Sequence, residues 1–396
     1  MVRLSMVRLK GTVESLPVIL FIASATVLLY VLAGYPLLLA LLAKGRRKPV
    51  ERRFEQKTVS VVMAVRDGEP WIAQKLRNIL ALDYPRDRME IIVVSDGSED
   101  HTDELVAGFA AQGVRLIRVP AGGKAAALNA GIAAASNEIL FFTDVRQSLD
   151  TDCLRHLVSC FAHPRVGVAS GELEIRRGAS HAEQNIGLYW RYEKWIRKHL
   201  SNLDSVMGAT GCIYAMRRQL AVPLPANLLV DDVYLPVAAF FQGFRVIFEP
   251  RAKAFDHPSS LRVEFRRKVR TLSGVYQVLW YYPRLLIPFS NRMWFHFVSH
   301  KLGRQILPFA ILMVAATSFA LPDPWRILAV LGGLLFCFLA AVDPLLPQTS
   351  SVHRLSSVAR TFLVFVAASF CALGVFFFPH RLFWKPTRIG ASKPSA

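Results

Sequence analysis

Four short segments of the chain carry side chains whose types and spacing suit phosphate and proton chemistry. Asp96-Gly97 and Asp144 each follow an apolar run, Gly122-Gly123-Lys124 precedes a helix-like run, and Asp231-Asp232 form an adjacent acidic pair. An Asp at the carboxyl end of a strand can reach a nucleotide base or ribose, and glycines before a helix let backbone N–H groups approach an anion. A turn at Asp-Gly, a generic Gly-rich loop and a solvated strand-end Asp are the ordinary alternatives.

The carboxylates allow two kinds of catalytic work. Asp144 can hold a divalent cation that neutralises a leaving diphosphate. In the pair Asp231-Asp232, like-charge repulsion raises the pKa of one member. Such a carboxylate can act as a general base toward an acceptor hydroxyl. The alternative for the pair is an acidic helix N-terminus, where the helix dipole favours negative charge.

The elements that must position these side chains are strands and helices in alternation between about residues 58 and 258. TVSVVMAV (58–65) is a continuous apolar run, as expected for a buried parallel strand. Further strands are predicted at Glu90–Ser95, Val114–Val119 and Glu138–Thr143, and helices at Glu69–Ala81, Asp103–Ala111 and Lys124–Ala135. This alternation predicts a doubly wound α/β fold with a mostly parallel sheet, whose ligands bind beyond the carboxyl ends of the strands.

Long apolar runs flank this domain. The chain has 396 residues, is 53% hydrophobic and carries a net charge of +19. Leu16–Ala43 contains no charged residue and is long enough to span a bilayer. A signal peptide is the rival interpretation, but the run exceeds a signal core of about 7–15 residues and is followed by basic residues. Three further spans are predicted at Leu302–Leu321, Ile327–Leu346 and Thr361–Phe378.

The basic residues favour a membrane over nucleic acid as the partner. The cluster between Lys44 and Arg53 places the N-terminus outside and the following domain in the cytoplasm by the positive-inside rule. Four spans would place the tail outside, whereas the basic residues of the tail favour the cytoplasmic side. The orientation of the tail therefore stays open. A basic amphipathic helix over Leu261–Trp280 is expected to lie on the membrane, or else to be a surface helix of the domain. No zinc-finger or RNA-binding signature is present, so we expect membrane lipids and no nucleic acid as partners.

These observations predict seven consecutive segments. They are an N-terminal segment (1–15), a transmembrane helix (16–43), a basic linker (44–57), the α/β domain (58–260), amphipathic interfacial helices (261–300), about three transmembrane helices (302–378) and a basic tail (379–396). The five cysteines form no CxxC pair, which suits a reducing compartment.

The order of the four segments resembles that of family 2 glycosyltransferases, inverting enzymes with the GT-A fold. Asp96-Gly97-Ser98, Gly122-Gly123-Lys124, Thr143-Asp144 and Asp231-Asp232 follow one another as in that family, and the resemblance covers Val59 to Gly274. The flanking spans resemble those of cellulose, chitin and hyaluronan synthases. The resemblance implies a membrane enzyme that transfers a sugar from a nucleotide donor, expected to be a UDP-sugar, to a glycan or lipid-linked acceptor. Exopolysaccharide or cell-envelope glycan synthesis at the inner membrane is the implied setting.

The resemblance also implies individual roles. Asp96 corresponds to the aspartate that contacts the donor base, and Lys124 to a lysine near the donor diphosphate. Asp144 corresponds to the first aspartate of the Asp-x-Asp motif, which binds Mg²⁺ or Mn²⁺. Asp232 corresponds to the general base, with Asp231 beside it where the family usually has glutamate.

Two motifs depart from the family pattern. The second metal carboxylate is replaced by Arg146, so either Arg146 contacts phosphate or the metal binds through Asp144 and diphosphate oxygens. In the Gln-x-x-Arg-Trp motif of processive synthases, Arg270 is retained, whereas Arg267 replaces Gln and Thr271 replaces Trp. Arg66, after the first strand, joins Arg146, Arg267 and Arg270 as an expected donor-binding residue.

Three aromatic residues are candidates for the acceptor. Trp190 and Trp195 precede the segment that flanks the acceptor in the family, and Tyr276 follows the altered motif; aromatic faces suit sugar rings. Core packing is the alternative for Trp190 and Trp195. Single-sugar transfer to a membrane lipid, or a nucleotide-binding scaffold or sensor without catalysis, remain the alternative functions.

Overall fold

The computed structural model describes residues 2–45, 48–175, 181–257, 260–347 and 350–383. One eight-stranded sheet with helices on both faces forms the centre of the molecule. The strands are β1 Val59–Val65, β2 Met89–Asp96, β3 Val114–Val119, β4 Ile139–Phe142, β5 Ser148–Leu149, β6 Val166–Ile175, β7 Tyr214–Arg217 and β8 Arg245–Asp256.

The helices of the domain are α3 Glu69–Leu80, α4 Thr102–Ala107, α5 Lys124–Ala134, α6 Cys153–Ser159, α7 His181–Leu203, α8 Asp231–Phe241 and α9 Leu261–Tyr281. Before the domain lie α1 Val2–Leu29 and α2 Tyr35–Gly45, which a π-helical turn at Tyr30–Gly34 joins. After it lie α10 Trp294–His296, the π-helical Phe297–Leu302, α11 Gly303–Ser318, α12 Trp325–Val342 and α13 Ser351–Cys371.

The strand order is β3-β2-β1-β4-β7-β6-β8-β5, and this order explains where a ligand can bind. The neighbours β3, β2, β1 and β4 are parallel, so their carboxyl ends meet at one edge of the sheet. From β1 the chain builds outward first to β2 and β3 and then, on the other side, to β4. The crevice between β1 and β4 is therefore a topological switch point, where α/β sheets bind ligands.

The predicted α/β fold is confirmed, and the sheet is more mixed than the sequence pattern indicated. β7 runs antiparallel to both β4 and β6, and β5 runs antiparallel to β8. The predicted strand Val114–Val119 has the observed bounds, whereas the helix predicted over Asp103–Ala111 ends at Ala107, before Gly108.

Side chains that alternate along the strands build one core on each face of the sheet. Val62 and Val94 point into one core, and Val61 and Met63 into the other, as the two-residue period of a strand requires. The first of these cores also contains Tyr35 and Leu39 of α2, both fully buried. The second part of the N-terminal apolar segment, α2, is thus packed against the α/β domain.

Three helices of the described residues are long and apolar enough to cross a membrane: Ser15–Gly45, Trp325–Leu345 and Val352–Phe376. Large apolar side chains on their surfaces are exposed, among them Leu29, Leu41, Leu328 and Leu331. Water disfavours so much exposed apolar surface, whereas lipid accommodates it. The fourth predicted span, Leu302–Leu321, contains the shorter α11 of 16 residues, which packs alongside α1.

Candidate active site

A cavity of about 1210 Å³ opens at the carboxyl ends of β1, β2 and β4. It continues past the N-terminus of α8 to the junction between the domain and the apolar helices. The walls of its first part include Arg66, Asp96, Lys124 and Asp144, which the sequence singles out in separate segments. Parallel strands bring these segments together because their carboxyl ends share one edge of the sheet.

Lys124 lies at the centre of this part of the cavity. As the first residue of α5, it follows Gly123, whose φ of +86° is a left-handed conformation that favours glycine. Its Nζ lies 3.0 Å from Asp144 Oδ1 and 3.1 Å from Asp231 Oδ1. Burial favours the neutral amine, but the two carboxylates outweigh it and raise the pKa of Lys124 above its ordinary value. The ammonium group is therefore a permanent positive charge at this point.

Asp144 is held ionised by the same lysine. Burial alone raises the pKa of this carboxyl, but Lys124 and Arg270 hold it below its ordinary value. The described residues contain no group of three or more His, Cys, Asp or Glu side chains arranged to hold a metal. Asp144 and Asp231 are two carboxylates that both contact Lys124. Such a set suits a cation of the Mg²⁺ type, which proteins often hold through one or two carboxylates together with substrate phosphates.

Asp96 organises the glycine loop in front of α5. Its Oδ1 accepts hydrogen bonds from the backbone N–H groups of Gly122 at 2.7 Å and Gly123 at 3.0 Å. Gly97 approaches the same loop so closely that a Cβ there would lie 2.8 Å from the backbone nitrogen of Ala121. The Asp-Gly motif therefore positions the loop beside Lys124, in addition to lining the cavity.

Asp231 and Asp232 begin α8 and face different neighbours. Asp231 is buried and pairs with Lys124, and Tyr214 Oη donates a hydrogen bond of 3.4 Å to its Oδ2. Asp232 lines the cavity beside Gly211, where a Cβ would lie 3.0 Å from Asp232 Oδ2. Burial and the neighbouring Asp231 raise the pKa of Asp232 to about 6. A carboxylate with such a pKa can accept a proton near neutral pH.

The arginine that replaces the second metal carboxylate is engaged in a different contact. Arg146 Nη2 forms an ion pair with Oδ2 of Asp256, at the end of β8. Gln147 Nε2 donates to the same oxygen at 3.0 Å, and Arg267 Nη2 lies 3.5 Å away. Arg267 also pairs with Glu264 at 2.9 Å. The sequence offered no signal for Asp256 as the partner of these groups, because more than 100 residues separate it from Arg146.

The remaining predicted site residues divide into two groups. Arg66, Arg270 and Trp190 line the cavity, and the positive charge of Arg270 lowers the pKa of Asp232. The structure does not bring Trp195 or Tyr276 to it. Trp195 lies about 140° around α7 from Trp190. Its exposed ring packs on His199, with the two ring centroids 4.0 Å apart. Tyr276 packs on Phe376, with the ring centroids 5.2 Å apart.

Several charged residues of the cavity carry no sequence motif. Glu193 and Arg197, one helical turn apart on α7, line it together with Lys301 and Arg304. Their spacing of four residues places Glu193 and Arg197 on one face of the helix, which is the only sequence signal for them. Lys301 and Arg304, which line the same part of the cavity, are more than 100 residues away in the sequence. Beneath the metal-motif loop, the buried Lys75 donates from Nζ to the carbonyl oxygen of Gln147 at 2.6 Å.

Comparison with known proteins agrees with this geometry. Residues 60–222 match the model of the glycosyl transferase family 2. The chain is 24% identical over 241 residues to the poly-beta-1,6-N-acetyl-D-glucosamine synthase of Staphylococcus aureus, covering 59% of this chain and 58% of that protein. It is 28% identical over 299 residues to the beta-monoglucosyldiacylglycerol synthase of Trichormus variabilis, covering 71% of this chain and 61% of that protein. The chain thus spans about three fifths of the length of these curated relatives.

A solved structure shares the fold over most of the chain. The mannosyltransferase PcManGT from Pyrobaculum calidifontis, solved with GDP-Man and Mn²⁺, superposes with a TM-score of 0.69 at 23% identity. The match covers 90% of this chain and 99% of that one. Matched sequence, fold and ordered motifs thus agree: residues 60–222 match the glycosyl transferase family 2, and the chain has the GT-A fold.

Proposed function

We propose that the protein transfers a sugar from a nucleotide donor, a UDP-sugar, to a glycan or lipid-linked acceptor with inversion at the anomeric carbon. The observation that carries this proposal is the arrangement of Lys124 between Asp144 and Asp231, with Asp232 next to it in one cavity. It sets a positive charge for a leaving diphosphate beside a carboxylate with a raised pKa. The relatives include one polysaccharide synthase and one glycolipid synthase, which supports both kinds of acceptor.

The proposed reaction is a single displacement. The acceptor hydroxyl oxygen forms a bond to the anomeric carbon while the bond from that carbon to the diphosphate oxygen breaks. Asp232 takes the hydroxyl proton, and the nucleoside diphosphate leaves with the bonding electrons. Lys124 and Arg270 stabilise the charge that develops on the leaving group, and such preorganised charge is usually the largest catalytic contribution. One displacement inverts the configuration.

A screen of donors tests this proposal. Protein purified in detergent should release nucleoside diphosphate from one class of donor, UDP-sugars, and much less from GDP-sugars. Sizing of the products then separates chain extension from transfer of one sugar. A folded protein that binds UDP but releases nothing from any donor, with or without acceptor lipids and glycans, would favour the scaffold or sensor alternative.

A divalent cation, Mg²⁺ or Mn²⁺, is expected to bind through Asp144 and the donor diphosphate. The cation would neutralise charge on the departing diphosphate. We expect excess EDTA to lower donor turnover at least about 100-fold and added Mg²⁺ or Mn²⁺ to restore it, because removal of one preorganised charge typically costs about 10²–10³ in rate. Asp144→Asn should reduce binding of Mn²⁺, measured by electron paramagnetic resonance in the presence of UDP. Full donor turnover in excess chelator would exclude a requirement for a divalent cation.

The raised pKa of Asp232 predicts how the rate depends on pH. The base must be ionised, and its pKa is about 6 because burial and Asp231 disfavour the charged form. We therefore expect kcat/KM to be constant above pH 7 and to fall about tenfold for each pH unit below about 6. Initial rates from pH 4.5 to 8.5, with thermal unfolding measured at each pH, check this. A profile without a decrease down to pH 5 would exclude a base with a raised pKa.

The proposed location is the cytoplasmic face of the cell membrane, with several spans. The basic residues after the first apolar helix support this side, because positive charge is enriched on cytoplasmic segments. The three apolar helices with exposed apolar surfaces support membrane insertion. Nucleotide-sugar donors then reach the cavity from the cytoplasm.

A further inference from the structure

The cavity has a second compartment beyond Asp232, which the donor does not explain. Its walls come from α7 and from residues 293–304, where the domain meets the apolar helices. The charged side chains there are Glu193, Arg197, Lys301 and Arg304. Three of these four are cationic.

Among the residues that the structure describes, Arg304 is the cation of this compartment that pairs with a carboxylate, and Arg197 and Lys301 do not. Arg304 Nη1 lies 2.7 Å from Glu193 Oε2, which makes a close ion pair. Arg197 instead donates to the hydroxyl oxygens of Thr210 and Ser170, each at 2.7 Å. Within the ranges that the structure describes, no carboxylate lies within ion-pair distance of Lys301.

The environment of Lys301 is unfavourable for its charge. Burial lowers the pKa of Lys301 to about 8, Arg304 and Arg197 lower it as well, and Glu193 and Asp232 offset only part of this. Buried charges without counter-charge are costly. An anionic group bound beside Lys301 and Arg197 would supply that counter-charge.

The walls of the compartment also indicate where the ligand comes from. Tyr189 of α7 packs edge-on against Phe365 of α13, with ring centroids 4.9 Å apart. Arg304 stands at the start of α11, and Ser369 Oγ of α13 donates to its carbonyl oxygen at 3.2 Å. Two wall residues of the compartment, Tyr189 and Arg304, therefore contact α13, which is one of the apolar helices. A ligand whose head lies inside the compartment and whose aliphatic tail lies against α13 would suit this position.

We propose that this compartment binds a phosphate-bearing membrane lipid as the acceptor, which rests on the proposed function. Lys301 donates to the phosphate, Arg197 adds positive charge, and a hydroxyl of the lipid head faces Asp232. In the transfer, that hydroxyl oxygen bonds to the anomeric carbon, its proton goes to Asp232, and the nucleoside diphosphate leaves. The phosphate anchors the acceptor and does not react. A neutral glycan or diacylglycerol would leave both cations without a directly paired anion.

The test compares acceptors that lack either the phosphate or the acyl chains. Phosphatidylglycerol and diacylglycerol with the same acyl chains are presented in detergent micelles with the preferred nucleotide sugar, and soluble glycerol 3-phosphate forms a third arm. We expect kcat/KM to be at least about tenfold higher for phosphatidylglycerol than for either alternative, since a charge-assisted hydrogen bond contributes about 1.5–3 kcal/mol. An equal kcat/KM with diacylglycerol would show that the phosphate is not recognised. An equal kcat/KM with glycerol 3-phosphate would show that the acyl chains are not needed.

Variants of Lys301 make the result specific. Lys301→Gln should raise the KM for phosphatidylglycerol at least about tenfold and change the KM for diacylglycerol much less. Lys301→Arg should restore the lipid KM, and Lys198→Gln, at an exposed position of α7, should match the wild type. An equal loss with phosphatidylglycerol and diacylglycerol in Lys301→Gln contradicts the proposal. Absence of donor hydrolysis in the wild type would instead count against the proposed function.

Discussion

Asp232→Asn is expected to lower sugar transfer by about a thousandfold and to leave donor affinity within about threefold of the wild type. Asparagine has nearly the same shape as aspartate but cannot accept a proton, and general-base catalysis typically contributes about 10²–10⁴ to a rate. Donor affinity should survive because Lys124 is paired with Asp144 and Asp231, not with Asp232. Single-turnover transfer and calorimetric titration with the nucleoside diphosphate measure the two quantities.

The matched control for this substitution is Asp87→Asn, at an exposed aspartate outside the cavity. It should show wild-type rate and stability. A loss of less than about tenfold in Asp232→Asn would exclude this residue as the general base. An equal loss of donor affinity would assign it to donor binding instead.

Lys124→Gln is expected to lower kcat/KM for the donor by about 10²–10³, because it removes a preorganised positive charge from the leaving group. The substitution also leaves Asp144 and Asp231 without their shared counter-ion. Since the charge of Lys124 lowers the pKa of Asp232, its removal should raise that pKa. The acid limb of the pH–rate profile should therefore move to higher pH in Lys124→Gln.

Steady-state kinetics at several pH values, with thermal unfolding as a check on folding, measure these effects. Lys198→Gln, which removes an exposed lysine of α7, is the control and should retain the wild-type profile. A reduced rate with an unshifted acid limb would show that Lys124 acts on the donor but not on Asp232. A donor kcat/KM within about threefold of the wild type would exclude Lys124 from the donor site.

Local sequence patterns identified the elements that carry chemistry. The apolar run at 58–65 predicts β1, and the order of Asp96, Lys124, Asp144 and Asp232 predicts the family and the edge of the sheet where they meet. These features are local because a buried strand, a glycine loop and a strand-end carboxylate each depend on a few adjacent residues. Span length and hydropathy likewise predict the N-terminal apolar helix.

The tertiary structure decided which side chains share the cavity. Aromatic type made Trp190 and Trp195 equal candidates, but the 100° turn per residue of α7 places only Trp190 at the cavity. Arg146 pairs with Asp256, a contact between residues far apart in the sequence that no local pattern encodes.

The second compartment shows most clearly which features the sequence determines and which only the tertiary structure decides. The sequence determined the motifs at Asp96, Lys124 and Asp144 and the apolar helices, because each depends on a short run of adjacent residues. Only the tertiary structure brings Lys301 and Arg304, at the end of the domain, beside Glu193 and Arg197 of α7. The physical reason is that burial and ion pairing depend on which helices pack together, and that packing is set by the whole sheet and its apolar helices.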